Sequence, residues 1–144
     1  MYKVIRTLNL GREKINVYHE NFHYFQPNIH KCGDCHIRCV CAATGKDWLE
    51  VFDGLYAVAR KSQYPLGSTE SITDYLGNLG YKWVAIKPKR GQIRPTVSEF
   101  AKSHKKGRYV LRVSNHVVGA HDGNYYDIWD CGDKSLYGYW EKED

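Results

Sequence analysis

Apolar residues recur every three to four positions in the middle of the chain and every second position toward its C-terminus. The first spacing is typical of helices that bury one face, and the second is typical of half-buried strands. Capping residues stand before the helical stretches, among them Asp34, Asp47, Ser68 and the capping box of Thr96 and Glu99. The pattern therefore predicts helices over residues 35–44, 48–61, 69–79 and 97–103.

Strands are predicted on both sides of this helical region. The pair Asp122-Gly123 between two apolar runs is typical of a two-residue hairpin turn. Residues 20–34, rich in aromatic and turn-forming types, are predicted as a loop. The predicted strands are 81–86, 108–113, 116–121, 125–129 and 137–140, with an N-terminal hairpin of 4–8 and 15–18 around Gly11. N-terminal helices followed by a C-terminal antiparallel sheet predict an α+β fold.

Composition narrows the class of protein. The 144 residues are 42% hydrophobic and 26% charged, which is ordinary for a globular chain and sufficient for a single domain over 1–144. We find no signal-peptide pattern and no apolar run near the roughly 18 residues of a membrane span, so we expect a cytoplasmic protein without a membrane partner. The net charge of +5 is mild and accompanies no nucleic-acid-binding motif, so nucleic acid is not the expected partner.

The five cysteines are unevenly placed: four lie at positions 32, 35, 39 and 41, and the fifth is Cys131. A reduced cytoplasmic chain makes a disulfide framework a poor explanation. Cys35 begins a predicted helix, where the helix dipole and the free backbone N–H groups favour a thiolate and can hold an oxyanion. Cys35 is therefore the candidate nucleophile, whereas Cys39 and Cys41 are interpreted as packing thiols.

A thiolate nucleophile works beside an imidazole that is itself held by a carboxylate or an amide. His116 opens an apolar strand and is the candidate base. A two-residue turn at 122–123 brings Asp127 diagonally across from His116 on the same face of the sheet. A three-residue turn would instead bring Asp130 there, so Asp130 is the alternative third member.

Two blocks of sequence contain these candidates. The first is GDCHIR (33–38) with AATGK (42–46), and the second is NHVV (115–118), DG (122–123) and YDIWD (126–130). They resemble the signatures of small papain-like proteins of bacteriophages and bacteria, and the order Cys, His, Asp is similar to that of bacteriocin-processing peptidases. The resemblance implies a papain-like fold with Cys35 as nucleophile, His116 as general base and Asp127 as the residue that orients the imidazole.

The resemblance also implies an activity. We expect a cysteine hydrolase that cleaves peptide or isopeptide amide bonds in protein or peptide substrates, without a metal or other cofactor, and in the host cytoplasm if a phage encodes it. Papain-like enzymes usually place a Gln shortly before the nucleophile to complete the oxyanion hole. Gln26 and Asn28 are the candidates for this role, and we favour Asn28.

Two other functions remain open from the sequence. A papain-like fold can bind and inhibit a host component without cutting it, because a fold does not determine an activity. Alternatively, the four clustered cysteines supply enough soft ligands for a zinc or iron–sulfur module.

Overall fold

The computed structural model describes residues 2–3, 8–10, 13–15 and 18–142, with side chains over 18–142. This part of the chain contains four helices and a six-stranded mixed sheet, which confirms the predicted α+β class. The helices are α1 (Cys35–Thr44), α2 (Trp48–Ser62), α3 (Thr69–Asn78) and α4 (Val97–Ser103). The strands are β1 (Tyr2–Lys3), β2 (Leu8–Leu10), β3 (Glu13–Ile15), β4 (Tyr18–His19), β5 (Phe22–Tyr24), β6 (Lys82–Ala85), β7 (Arg108–Val113), β8 (His116–His121), β9 (Asn124–Asp127) and β10 (Gly138–Lys142).

Three of the helices begin as their caps predict. The side chains of Asp47 and Ser68 accept hydrogen bonds from the first turns of α2 and α3, and Thr96 forms the predicted capping box at α4. At α1 the side chain of Asp34 makes no capping bond, and its carboxylate contacts other side chains instead. None of the helices in the described ranges is long and apolar enough to cross a lipid bilayer.

The large sheet has the strand order β5-β9-β8-β7-β10-β6. Neighbouring strands are antiparallel except β5 and β9, which pair in parallel with Phe22 opposite Tyr125. The predictions of a loop over 20–34 and of a wholly antiparallel sheet are therefore wrong at residues 22–24. Three residues are too few to show a strand period, and Phe22 is held there by its ring contact with Tyr125 at 5.7 Å.

The β8–β9 hairpin has the predicted register. His121 lies opposite Asn124, so the turn at 122–123 contains two residues. Asp122 and Gly123 both adopt positive φ, as this tight turn requires. The last pair of the hairpin is Gly119 with Tyr126. Asp127 is the next residue and the last one of β9.

Both faces of the sheet are covered. Helices α1, α2 and α3 contribute to a core that includes Val110, Val117 and Trp140. The opposite face, which includes Leu111 and Val118, packs against α4 in a second core. Successive strand residues thus face different cores, and this is why the central positions of β7 and β8 are apolar in an unbroken run, at 109–111 and 117–120.

Helix α1 packs closely on β8 because Gly119 has no side chain. A Cβ atom at this position would lie 2.5 Å from the carbonyl oxygen of Cys39 and 2.6 Å from the Cβ of Ala42. The helix starts four residues before Cys39 and the strand starts three residues before Gly119. This contact therefore brings the start of α1 and the start of β8 to the same end of the structure.

The N-terminal prediction is only partly covered by the described residues. Strands β2 and β3 form a hairpin with Leu8 opposite Ile15, but these strands lie between the predicted strands 4–8 and 15–18 and share only Leu8 and Ile15 with them. Residues 4–7, 11–12 and 16–17, which include most of the predicted first strand and the turn around Gly11, lie outside the described residues.

Candidate active site

Cys35 and His116 line one groove on the surface. Cys35 is the first residue of α1 and His116 is the first residue of β8, so the close packing of these two elements places both side chains at its floor. The groove has a volume of about 390 Å³, and its other lining residues come mainly from 67–70 at the start of α3 and from 112–115 at the end of β7. A nucleophile and a base are thus accessible to the same ligand.

The surroundings of Cys35 favour the ionised form of its thiol at neutral pH. Burial by itself raises its pKa, but hydrogen bonds with His116 and His36 outweigh burial and lower the pKa from 9.0 to about 6. Burial likewise lowers the pKa of His116, but its bonds with Asp127 and Cys35 raise it to about 9. Between these two values the pair exists as thiolate and imidazolium, the form that a cysteine nucleophile needs.

Asp127 holds the imidazole in place. The Nε2 atom of His116 lies 2.5 Å from Oδ2 of Asp127, whose side chain is almost completely buried. This bond leaves Nδ1 of His116 for the thiol of Cys35. The indole of Trp129 packs beside the imidazole with ring centroids 5.1 Å apart and covers one side of it. The structure thus places Asp127 where the two-residue turn predicts it.

The other carboxylate oxygen of Asp127 is occupied by donors that the sequence analysis missed. Its Oδ1 accepts hydrogen bonds from Nε of Arg38 at 3.1 Å, from Nη2 of Arg38 at 2.9 Å and from the backbone N–H of Ile128 at 2.8 Å. Arg38 is itself buried. The available sequence signal was a charged residue between the apolar Ile37 and Cys39, on the inward face of α1.

Asp130, the alternative third member, lies in a different cluster. Its carboxylate accepts bonds from the hydroxyl of Tyr125, from the backbone N–H of Gly132 and from the backbone and ring of His19. Burial by itself raises the pKa of Asp130, but these bonds outweigh burial and lower it. The cluster connects β4 to the segment that follows β9, and within residues 18–142 the carboxylate beside His116 is that of Asp127.

The two oxyanion candidates differ in how their amides are engaged. The side-chain nitrogen of Asn28 donates to the sulfur of Cys32 at 3.7 Å, and its oxygen accepts from the backbone N–H of His30. In contrast, the side-chain nitrogen of Gln26 is buried and has no hydrogen-bond partner among the described residues. The oxygen of Gln26 accepts from the backbone of Asn28. Of the two candidates, Gln26 therefore has the side-chain donor that no described residue engages.

The remaining cysteines do not share the properties of Cys35. Burial raises the pKa of Cys41 to about 12 and raises those of Cys39 and Cys131 as well. Cys32 is exposed and its pKa is also raised. Among the described residues, the group that could hold a metal ion is His116, Asp127 and Cys131, with ligand atoms within 4.8 Å of one another. Within the described residues, the four clustered cysteines do not form a group of this kind.

Comparisons with protein-family models, with curated proteins and with solved structures each found no match for this chain. Of the residues predicted from the sequence, the structure brings Cys35, His116 and Asp127 together. It gives Asp130 and Asn28 other partners. What the site does is therefore inferred from its geometry and chemistry.

Proposed function

We propose that this protein is a cysteine hydrolase of papain-like design that cleaves amide bonds in peptides or proteins. The observation that carries the proposal is the thiolate-favouring contact of Cys35 with His116, whose other ring nitrogen is held by Asp127. Nucleophile, base and orienting group in this relation constitute a catalytic triad. A nucleophile at a helix start facing a base on an adjacent sheet is the design that the sequence resemblance implies.

The chemistry follows from the charges. The Cys35 thiolate attacks the amide carbon, and the carbonyl oxygen becomes an oxyanion near the free N–H groups at the start of α1. The His116 imidazolium then gives its proton to the leaving amine, which departs and leaves a thioester on Cys35. Neutral His116 takes a proton from water, the hydroxide attacks the thioester, and the acid product leaves as the thiolate and imidazolium are restored.

Substrate access is consistent with an extended chain. The groove is open, and most of its lining residues are polar or charged. Such a surface suits a peptide, which presents polar backbone groups at every residue. Peptide and isopeptide amides both fit this description.

Labelling and turnover test the proposal together. A limiting dose of iodoacetamide is expected to modify Cys35 before the other four cysteines, because its thiolate is present at neutral pH. Peptide mass mapping identifies the site, and a panel of peptide, isopeptide and simple amide substrates measures turnover. Cys35→Ala is expected to abolish both signals, whereas Cys32→Ala, at the neighbouring exposed cysteine, leaves both intact.

Preferential labelling of Cys32 or Cys131 would contradict the assignment of the nucleophile. Fast labelling of Cys35 without turnover of any amide would instead favour a protein that binds its partner without cutting it.

A second prediction concerns the oxyanion donor. Gln26→Ala is expected to lower kcat by about 100-fold with little change in KM, because a donor to the oxyanion acts mainly in the transition state. Asn28→Ala is the matched control, since its amide is already bonded to Cys32. Steady-state kinetics on the best substrate of the panel measure both. The reverse ranking would return the role to Asn28.

A further inference from the structure

Arg38 lies in the interior of the protein between two carboxylates. Its side chain is only 3% exposed, and those of Asp34 and Asp127 are 4% and 1% exposed. Its Nη1 donates to Asp34, while its Nε and Nη2 donate to Asp127. Asp34 is also held by the indole N–H of Trp48 at 2.8 Å. A buried ionic group of this kind costs solvation free energy, so a stability role alone explains it poorly.

The guanidinium determines which way the Asp127 carboxylate faces. Three donors converge on Oδ1, two from Arg38 and one from the backbone of Ile128. With that oxygen saturated, Oδ2 is the atom left for Nε2 of His116. Two N–H groups of one rigid guanidinium that converge on the same oxygen hold that oxygen in place in a way that a single, freely rotating ammonium does not.

Arg38 also joins the two walls of the site. Asp34 precedes the nucleophile directly, and its backbone oxygen accepts from the N–H groups of Ile37 and Arg38 at the start of α1. Asp127 belongs to β9 in the sheet. One side chain therefore connects the segment that carries Cys35 to the carboxylate that holds His116.

We propose that Arg38 is a positioning residue that fixes the Asp127 carboxylate toward His116 and keeps the thiolate–imidazolium pair aligned across the α1–sheet interface. The proposal rests on the proposed hydrolase function for its effect on turnover. Its effect on the Cys35 thiol does not depend on any substrate.

The test uses Arg38→Lys, Arg38→Gln and, as a matched control, Arg108→Gln. Arg108 also bonds α1, through Nη1 to the carbonyl oxygen of Ala43 at 2.9 Å, but has no bond to Asp127. Because Arg38→Gln leaves two buried carboxylates without a cation, the double variant Asp34→Asn/Arg38→Gln is made as well. Thermal unfolding, the pH midpoint of Cys35 alkylation and steady-state kinetics are measured for each.

Arg38→Lys is expected to fold and to lower kcat about 10- to 100-fold at unchanged KM, because it keeps the charge but loses the fork. The glutamine variants are expected to raise the Cys35 midpoint by about one pH unit or more, since a nearby positive charge and the hold on Asp127 are both lost. Arg108→Gln is expected to change thermal stability alone.

If the Arg38 variants change only the unfolding temperature and match Arg108→Gln in midpoint and kcat, Arg38 is a structural ion pair and the proposal is wrong. Failure of the hydrolase function gives a different result. In that case the wild-type protein turns over no amide in the panel. The shift in the pH midpoint of Cys35 alkylation still shows whether Arg38 positions Asp127 and His116 beside Cys35.

Discussion

Replacing His116 by alanine is expected to move the midpoint of Cys35 alkylation from about 6 to about 9 or above. Burial acts to raise the pKa of this thiol, and the hydrogen bond and charge of the imidazolium supply most of what lowers it, with a smaller contribution from His36. The measurement is the iodoacetamide rate at Cys35 across pH 5 to 10, followed by mass spectrometry. Turnover is expected to fall by about 1,000-fold or more, since the general acid and base is lost.

The midpoint is the informative quantity, because a thiolate of low pKa is also intrinsically less nucleophilic and rates at one pH partly compensate. His121→Ala is the control: it removes the histidine at the other end of β8, which bonds the adjacent Asp122. A wild-type midpoint near that of an ordinary thiol would rule out the ion pair. So would a midpoint that His116→Ala leaves in place.

Asp127→Asn is expected to lower turnover about as much as removal of the base. The donors from Arg38 and Ile128 require an acceptor at Oδ1, so the amide oxygen must face them and the NH₂ group must face His116. The NH₂ group would then face Nε2 of His116, and two donors cannot bond each other. Nε2 would lose its proton, which disfavours the imidazolium and leaves the neutral ring with its proton on Nδ1, the nitrogen that should face Cys35. We expect kcat to fall by about 1,000- to 10,000-fold, the scale of a tautomer error in a triad.

The control for this substitution is Asp130→Asn, which is expected to lower thermal stability while the folded protein keeps its turnover. Asp130 bonds Tyr125 and His19 rather than the imidazole. Kinetics and thermal unfolding are compared at a temperature where both variants are folded. Near-normal turnover in Asp127→Asn would mean that an amide suffices at this position, and greater damage from Asp130→Asn would transfer the role to Asp130.

The β8–β9 hairpin is a part of the site that local sequence patterns predict. Asp122-Gly123 specifies a two-residue turn, and alternation then places Asp127 on the face of His116, as the structure has it. The same chain of inference fails for β5, where Phe22 pairs with a strand about a hundred residues away. No local pattern identifies β9 as the partner of β5, because the parallel pairing of two distant segments depends on how the rest of the chain packs around them.

Arg38 is a part of the site that local sequence patterns do not predict. The sequence alone allows either a carboxylate or an amide as the third member of the triad, because both groups can orient an imidazole. The buried guanidinium removes that freedom, and its partners Asp34 and Asp127 lie 4 and 89 residues away. Charge pairing at such separations is created by the packing of α1 on the sheet, which the spacing of residues within either element does not contain.

The sequence by itself determined the four helices with their starts, the α+β class and the identity of the candidate nucleophile, base and orienting residue, because caps, turns and alternation act over a few residues. Only the tertiary structure decided which donors are free and which are engaged. Among the residues that the structure describes, the buried amide nitrogen of Gln26 has no hydrogen-bond partner, whereas the amide of Asn28 is bonded to Cys32 and Asp130 is bonded to His19. Hydrogen-bond satisfaction is a property of the whole packed interior, in which each buried polar group competes for a limited number of partners.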